Sequence, residues 1–179
     1  TPAKDVLDAA ILNPNPVIHP ALIVTNAAPI EHYGEDYNIH QQGTTPATLR
    51  LIYAVDDERI AVRKALGYDE PHFRQDTYYD PALAGQGLFG NAAQDLVLES
   101  GLWQERISLE HRYLDEDVPY GLRLITDIGR VAGVPTPATD AVIHIASILR
   151  QSKLSSPDRN LALIGIEGLD SVAVRAKLK

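Results

Sequence analysis

"TTPATLRLIYAVDDERIAVRKALG", residues 44–67, carries the two ends of a helix and its buried face. Thr44 or Thr45 offers a hydroxyl to the first free amides. Pro46 suits the opening turn, where its missing N–H would have no acceptor, and Gly67 can take the left-handed conformation that closes a helix. Between them, Leu49, Ile52, Tyr53, Val55, Ile60, Val62 and Leu66 recur at three- and four-residue steps, which places them on one side of a 3.6-residue turn. The spacing predicts a helix of about 20 residues that crosses most of a domain. Asp56, Asp57, Glu58 and Arg59 interrupt the apolar positions. They read as one polar helix face with intrahelical pairs.

The text on either side follows the same grammar. A second helix is expected over residues 91–99, ending near Gly101, and a third from Val118-Pro119 to about Ala132, weakened locally by Gly121 and Gly129. A fourth starts at Thr136 or Pro137 and buries Val142, Ile143, Ile145, Ala146 and Leu149. A short last helix is capped by Asp170 or Ser171. Residues 67–90 are polar, aromatic and rich in turn formers, and read as an irregular connection. Upstream, "NPNPVIHPALIVTNAAPIE" (residues 13–31) has three prolines in seven residues, a density expected to break any regular element. Period-two alternation is scarce, so the expected fold is all-α, one helical domain over residues 1–179.

Composition narrows the function. Of 179 residues, 45% are hydrophobic and 22% charged, an ordinary globular balance. No apolar run reaches the roughly 18 to 20 residues that cross a bilayer, and no basic start leads into an apolar core. A net charge of −8 argues against nucleic acid or an anionic membrane as the partner. With no cysteine, thiolate ligands and cysteine nucleophiles are excluded, and a reducing cytoplasm is the expected compartment. The chain starts at Thr1-Pro2 and has no methionine, which suggests a processed, trimmed or partial product. "GQGLFG" (residues 85–90) follows a polar loop rather than a strand, and no dinucleotide or phosphate-loop motif is present.

Three places can do chemistry. His19 lies between Pro16 and Pro20, which restrict the backbone on both sides, with Asn13 and Asn15 nearby to orient a ligand. An imidazole aimed so rigidly makes a good general acid/base. The bland alternative is a hydrogen-bonded core histidine. "LEHRYLDEDVPYG" (residues 109–121) gathers His111, Arg112, Asp115, Glu116 and Asp117. It reads either as a solvated charge run whose carboxylates favour a helix N-terminus, or as a site. His111 and Asp115, four apart, form a weak metal pair without a third ligand at diagnostic spacing, so no metal is expected. The "VDDER" segment is the third place, and is read as structural. His32, His40, His72 and His144 have no ligand spacing, and His144 is expected in the core or an interface.

Taken in order, "NPNPVIHP", "QQGTTP" with "DDERIAVRKALG", "RYLDEDVPYGL", "GRVAGVPTPATDAVI" and "DRNLALIGI" resemble the C-terminal helical domain of the octopine/nopaline (opine) dehydrogenases. That domain is related to 6-phosphogluconate-dehydrogenase-like helical domains. The resemblance runs from about Val6 to Leu169. It implies an enzyme in which an N-terminal Rossmann domain, absent from this chain and present in cis or trans, binds NAD or NADP. A 2-oxo acid and an amino acid condense, and the imine is reduced. Residue by residue, it gives His19 and Asp117 the catalytic acid/base roles, and Arg112, Asn15 and Thr45 the substrate contacts. A homodimer through helical faces is a further expectation.

Departures from the family pattern support an alternative. "GLRLIT" places Arg123 where an apolar residue is usual, and "DRNLA" places Asp158 at a glycine position. On that reading the helical domain stands alone, as a cofactor-independent lyase or isomerase or as a binding or dimerisation module. A metal-dependent hydrolase built on the acidic cluster is the third reading.

Overall fold

A computed structural model describes residues 3–87, 99, 107–155 and 160–177. The order is α1 (Val6–Leu12), α2 (Asn15–Thr25), α3 (Ala27–Tyr33), α4 (Ile39–Gln42), α5 (Pro46–Ala65), α6 (Asp76–Tyr79), α7 (Arg112–Asp115), a π-helical turn (Val118–Leu122), α8 (Arg123–Ala132), α9 (Pro137–Leu149) and α10 (Ser171–Lys177). No strand occurs among the described residues, and the all-α expectation holds. The helix expected over residues 91–99 lies outside the described residues but for Glu99, as do Gly90 and Asp158. No described helix is long and apolar enough to cross a membrane.

Helix α5 is the spine. Thr45 Oγ1 accepts the Thr48 N–H, Pro46 opens the helix, and Gly67 follows it at φ 77°. Ile52, Val55, Val62 and Leu66 are buried as expected. They belong to one apolar cluster that extends from Leu7 to Val174. α2, α8 and α9 pack on this spine.

The prolines do not break α2. Pro14 precedes the helix and Pro16 lies in its first turn, where no acceptor waits for an N–H. Only Pro20 is interior, at a cost of about 3 kcal/mol. Val17, Leu22 and Ile23 are completely buried, each contributing about 1.5–3 kcal/mol, and that burial outweighs the single lost bond.

A second expectation fails at α9. Val142, Ile143 and Ala146 face the core, but Ile145 is 43% exposed and His144 is exposed. At 100° per residue, Ile145 lies about a sixth of a turn outside the arc shared by the other three, and His144 lies on the side opposite that arc. His144 is therefore not a core residue. The expected third helix also starts differently, as the π turn before α8. Residues 67–87 are irregular as expected, apart from the single turn of α6 and a 3₁₀ turn at Ala84–Gln86.

The "DDER" segment forms the intrahelical pair expected of it, and that pair is buried. Asp56 and Arg59 are buried and paired, Oδ1 to Nε at 2.8 Å. Arg59 also donates to the carbonyls of Ile11, His72 and Phe73, and Asp56 Oδ2 accepts the Gln75 N–H at 2.8 Å. Burial pushes the Asp56 carboxyl above its usual range, against the pull of Arg59 and that N–H. Asp57 reaches outward to Arg74. Glu58 reaches across to α9, whose own N-cap residue Thr136 makes no side-chain cap bond. Its two oxygens accept from Ala138 N at 2.7 Å, Thr139 N at 2.8 Å and Thr139 Oγ1 at 2.7 Å. Four consecutive charged residues thus fasten α1, the 72–75 bend and α9 to the spine.

Candidate active site

Helix α2 carries His19 into the protein, where it is 2% exposed. α2 packs on α7 and on the π turn. That second contact depends on Gly121, because a Cβ there would come 2.2 Å from Pro16 Cγ. Only a residue without a side chain lets the turn lie directly on the start of α2. This approach brings Asp117, the residue before the turn, to His19.

The contact is short: Nδ1 of His19 lies 2.7 Å from Oδ2 of Asp117, across 98 positions of sequence. An ionised carboxylate only accepts, so Nδ1 carries the proton, and in the neutral ring Nε2 is the unprotonated nitrogen. Asp117 is partly open, with 16% of its side chain exposed. Such an arrangement fixes the tautomer and stabilises the imidazolium when it forms.

Aromatic rings surround the pair. The Tyr113 ring is fully buried and stacks on the imidazole, centroids 3.6 Å apart and planes 7° from parallel. His40 from α4 meets Tyr113 edge-on, with its Nε2 3.4 Å from the phenol oxygen. His111 meets the same ring edge-on at 4.3 Å. Burial, then the nearby His19 and His111, push the His40 pKa down to about 4. His40 is thus uncharged near neutrality. Neither Tyr113 nor His40 stood out in the sequence, although Tyr113 is an aromatic residue buried inside a charged run.

The other expected site residues are distributed unevenly. Arg112 is exposed, with its guanidinium carbon 5.4 Å from the Tyr113 centroid, so it borders the ring on which His19 rests. Asn15 is exposed at the start of α2, one turn before His19 on the same helical side. Thr45 caps α5, and its hydroxyl lies 3.2 Å from that of Thr48, which donates to Thr25 Oγ1. No described contact joins Thr45 to the His19 group. His111 and Asp115 do not converge. His111 Nδ1 accepts the Tyr113 N–H at 3.3 Å and caps α7, while Asp115 pairs with Arg150 through two bonds of 3.1 Å. Among the described residues no three His, Asp or Glu side chains form a metal-sized group. Arg123 has structural work, donating to the carbonyls of Lys153 and Leu154 beyond α9.

A family model described as NAD/NADP octopine/nopaline dehydrogenase, alpha-helical domain, matches residues 2–150. The chain belongs to this family. Opine dehydrogenase from Arthrobacter sp. (strain 1C) is 31% identical over 98% of this chain and 48% of its own length. Protein ocs from Agrobacterium tumefaciens (strain Ach5) is 30% identical, covering 90% of this chain and 45% of its own length. Vitopine synthase from Allorhizobium ampelinum is 29% identical, covering 92% and 45%. The chain thus spans about half the length of the curated relatives it matches. As an opine dehydrogenase family member, it carries the family's all-helical domain.

Proposed function

We propose that this chain is the substrate-binding and proton-transfer part of an NAD(P)-dependent opine-type dehydrogenase. In the overall reaction, a 2-oxo acid, an amino acid, NAD(P)H and a proton give the N-linked dicarboxylic product, NAD(P)⁺ and water. The observation that carries this reading is the 2.7 Å His19–Asp117 pair, in a chain whose family model names octopine/nopaline dehydrogenase.

The amine adds to the keto carbon to give a carbinolamine, and loss of its hydroxyl as water requires a proton donor. His19, protonated at Nε2 and steadied by Asp117, supplies that proton, and the neutral imidazole takes one back from the amine. Asp117 stabilises the transient charge without leaving Nδ1. Arg112 offers a planar fork to the keto acid's carboxylate. Asn15, one turn from His19, and Thr45, at the α5 cap, are the remaining substrate contacts in this scheme. The dinucleotide, when bound, supplies hydride. This chain has no glycine-rich phosphate-binding turn to hold it, so its binding falls to a Rossmann domain in cis or trans.

The test is turnover by the complete enzyme with keto acid, amino acid and NADH or NADPH. His19→Ala is expected to lower kcat at least about a hundredfold, the ordinary share of a general acid/base. Near-normal turnover in that variant would sink the assignment.

A further inference from the structure

An imidazole that transfers protons must be held about two directions, along its edge and across its face. Asp117 holds the edge of His19 through Nδ1. The face belongs to Tyr113, stacked at 3.6 Å and 7°. A leucine or isoleucine would fill the same volume, but neither presents a flat surface that resists rotation of the imidazole about its χ2 bond.

Tyr113 is itself held. Its backbone N–H donates to His111 Nδ1, and its hydroxyl lies 3.4 Å from His40 Nε2. α4, which carries His40, is fixed at its start by Asn38, whose side chain accepts from His40 N and Gln41 N. A phenol O–H donates only to an unprotonated ring nitrogen. The buried, uncharged His40 meets that condition in the tautomer that carries its proton on Nδ1.

We propose that Tyr113, anchored by His40, is a positioning residue that holds the His19 imidazole in the orientation proton transfer needs. It acts through His19 rather than on substrate, and the proposal rests on the reading of His19 as the acid/base. The groups facing this unit are Asp117, His40, His111 and Arg112.

The experiment separates this proposal from the reaction reading by using two readouts. NMR spectroscopy of the His19 ring in the 179-residue chain needs no turnover. Tyr113→Phe keeps the stacked ring and loses only the hydroxyl contact to His40, so it is expected to retain most of the upfield ring-current shift that the His19 carbon-bound protons show in wild type. Tyr113→Leu is expected to lose that shift, because no ring then stacks on the imidazole. In the complete enzyme, Tyr113→Leu should lower kcat roughly tenfold while KM stays within about twofold, and Tyr113→Phe should recover most of that loss. An unchanged His19 ring shift in Tyr113→Leu overturns the proposal, as does a Tyr113→Phe variant no better than Tyr113→Leu. Should Tyr113→Leu fail to fold, His40→Gln takes its place. A reduced His19 ring-current shift in that variant supports the anchor, and an unchanged shift overturns it. A wild-type enzyme inert toward keto acid and amino acid would overturn the reaction reading alone, because the NMR result on Tyr113 stands without it.

Discussion

Two ion pairs of this protein, each a carboxylate on a buried basic side chain, differ in what they can do. Asp56 and Arg59 are three residues apart on one helix and fully enclosed, and their remaining donors and acceptors go to backbone groups of α1 and the 72–75 bend. Asp117 and His19 are 98 residues apart, with the carboxylate at the edge of solvent. The basic partner marks the difference. Arginine keeps its charge at any working pH, so the first pair is a permanent fastening. Histidine gains and loses its charge near neutrality, so the second pair can take part in a reaction. The lesson is that an ion pair's duty follows from whether its charge can change and from what else its atoms bind.

The hardest way to break that contrast is Arg59→Leu, which leaves Asp56 buried without its cation. Removing one partner of a buried pair costs about 3–5 kcal/mol. Urea unfolding should register that loss, while any enzyme that stays folded retains its turnover. A fall in turnover without a fall in stability would erase the distinction between the two pairs.

Next in size is the pH response of His40. The unfolded chain protonates this residue near pH 6.5, whereas the folded protein resists down to about 4. The unfolded state therefore binds more protons within that window, and stability falls as pH drops from about 6.5 to 4, by at most about 3 kcal/mol. His40→Gln should flatten this part of the stability profile. An equally steep acid loss in the variant would assign the effect to other groups.

The smallest effect tests the fastening at its periphery. Glu58→Ala removes the borrowed cap of α9, at an expected cost of about 1–2 kcal/mol. It should lower Tm without moving the pH dependence of turnover. A shifted pH profile would mean that α9 is coupled to His19.

Parts of this arrangement were legible from the residues alone. α5 was, because Thr45, Pro46 and Gly67 punctuate a strong apolar period. His19 drew notice through its prolines, yet those prolines were misread as breakers, since a helix's first turn tolerates a residue without N–H. Asp117 could be matched to His19 only by family resemblance, because nothing local links positions 98 apart. The Asp56–Arg59 pair follows from helical spacing, but its burial does not, because helical periodicity says nothing of carbonyls arriving from Ile11 and His72. Tyr113 and His40 gave no spacing signal at all. Their roles exist only once α4 and α7 are folded beside α2.

The contact of Gly121 with Pro16 has a thermal consequence. It is the hinge pin between the two halves of the acid–base couple, since the segment it seats on α2 delivers Asp117. Warming that lifts this five-residue turn uncouples the pair while α5 and α9 are still intact. Inactivation should therefore set in some degrees below the loss of helical circular dichroism, and the gap between the two temperatures measures how firmly that one seat is held.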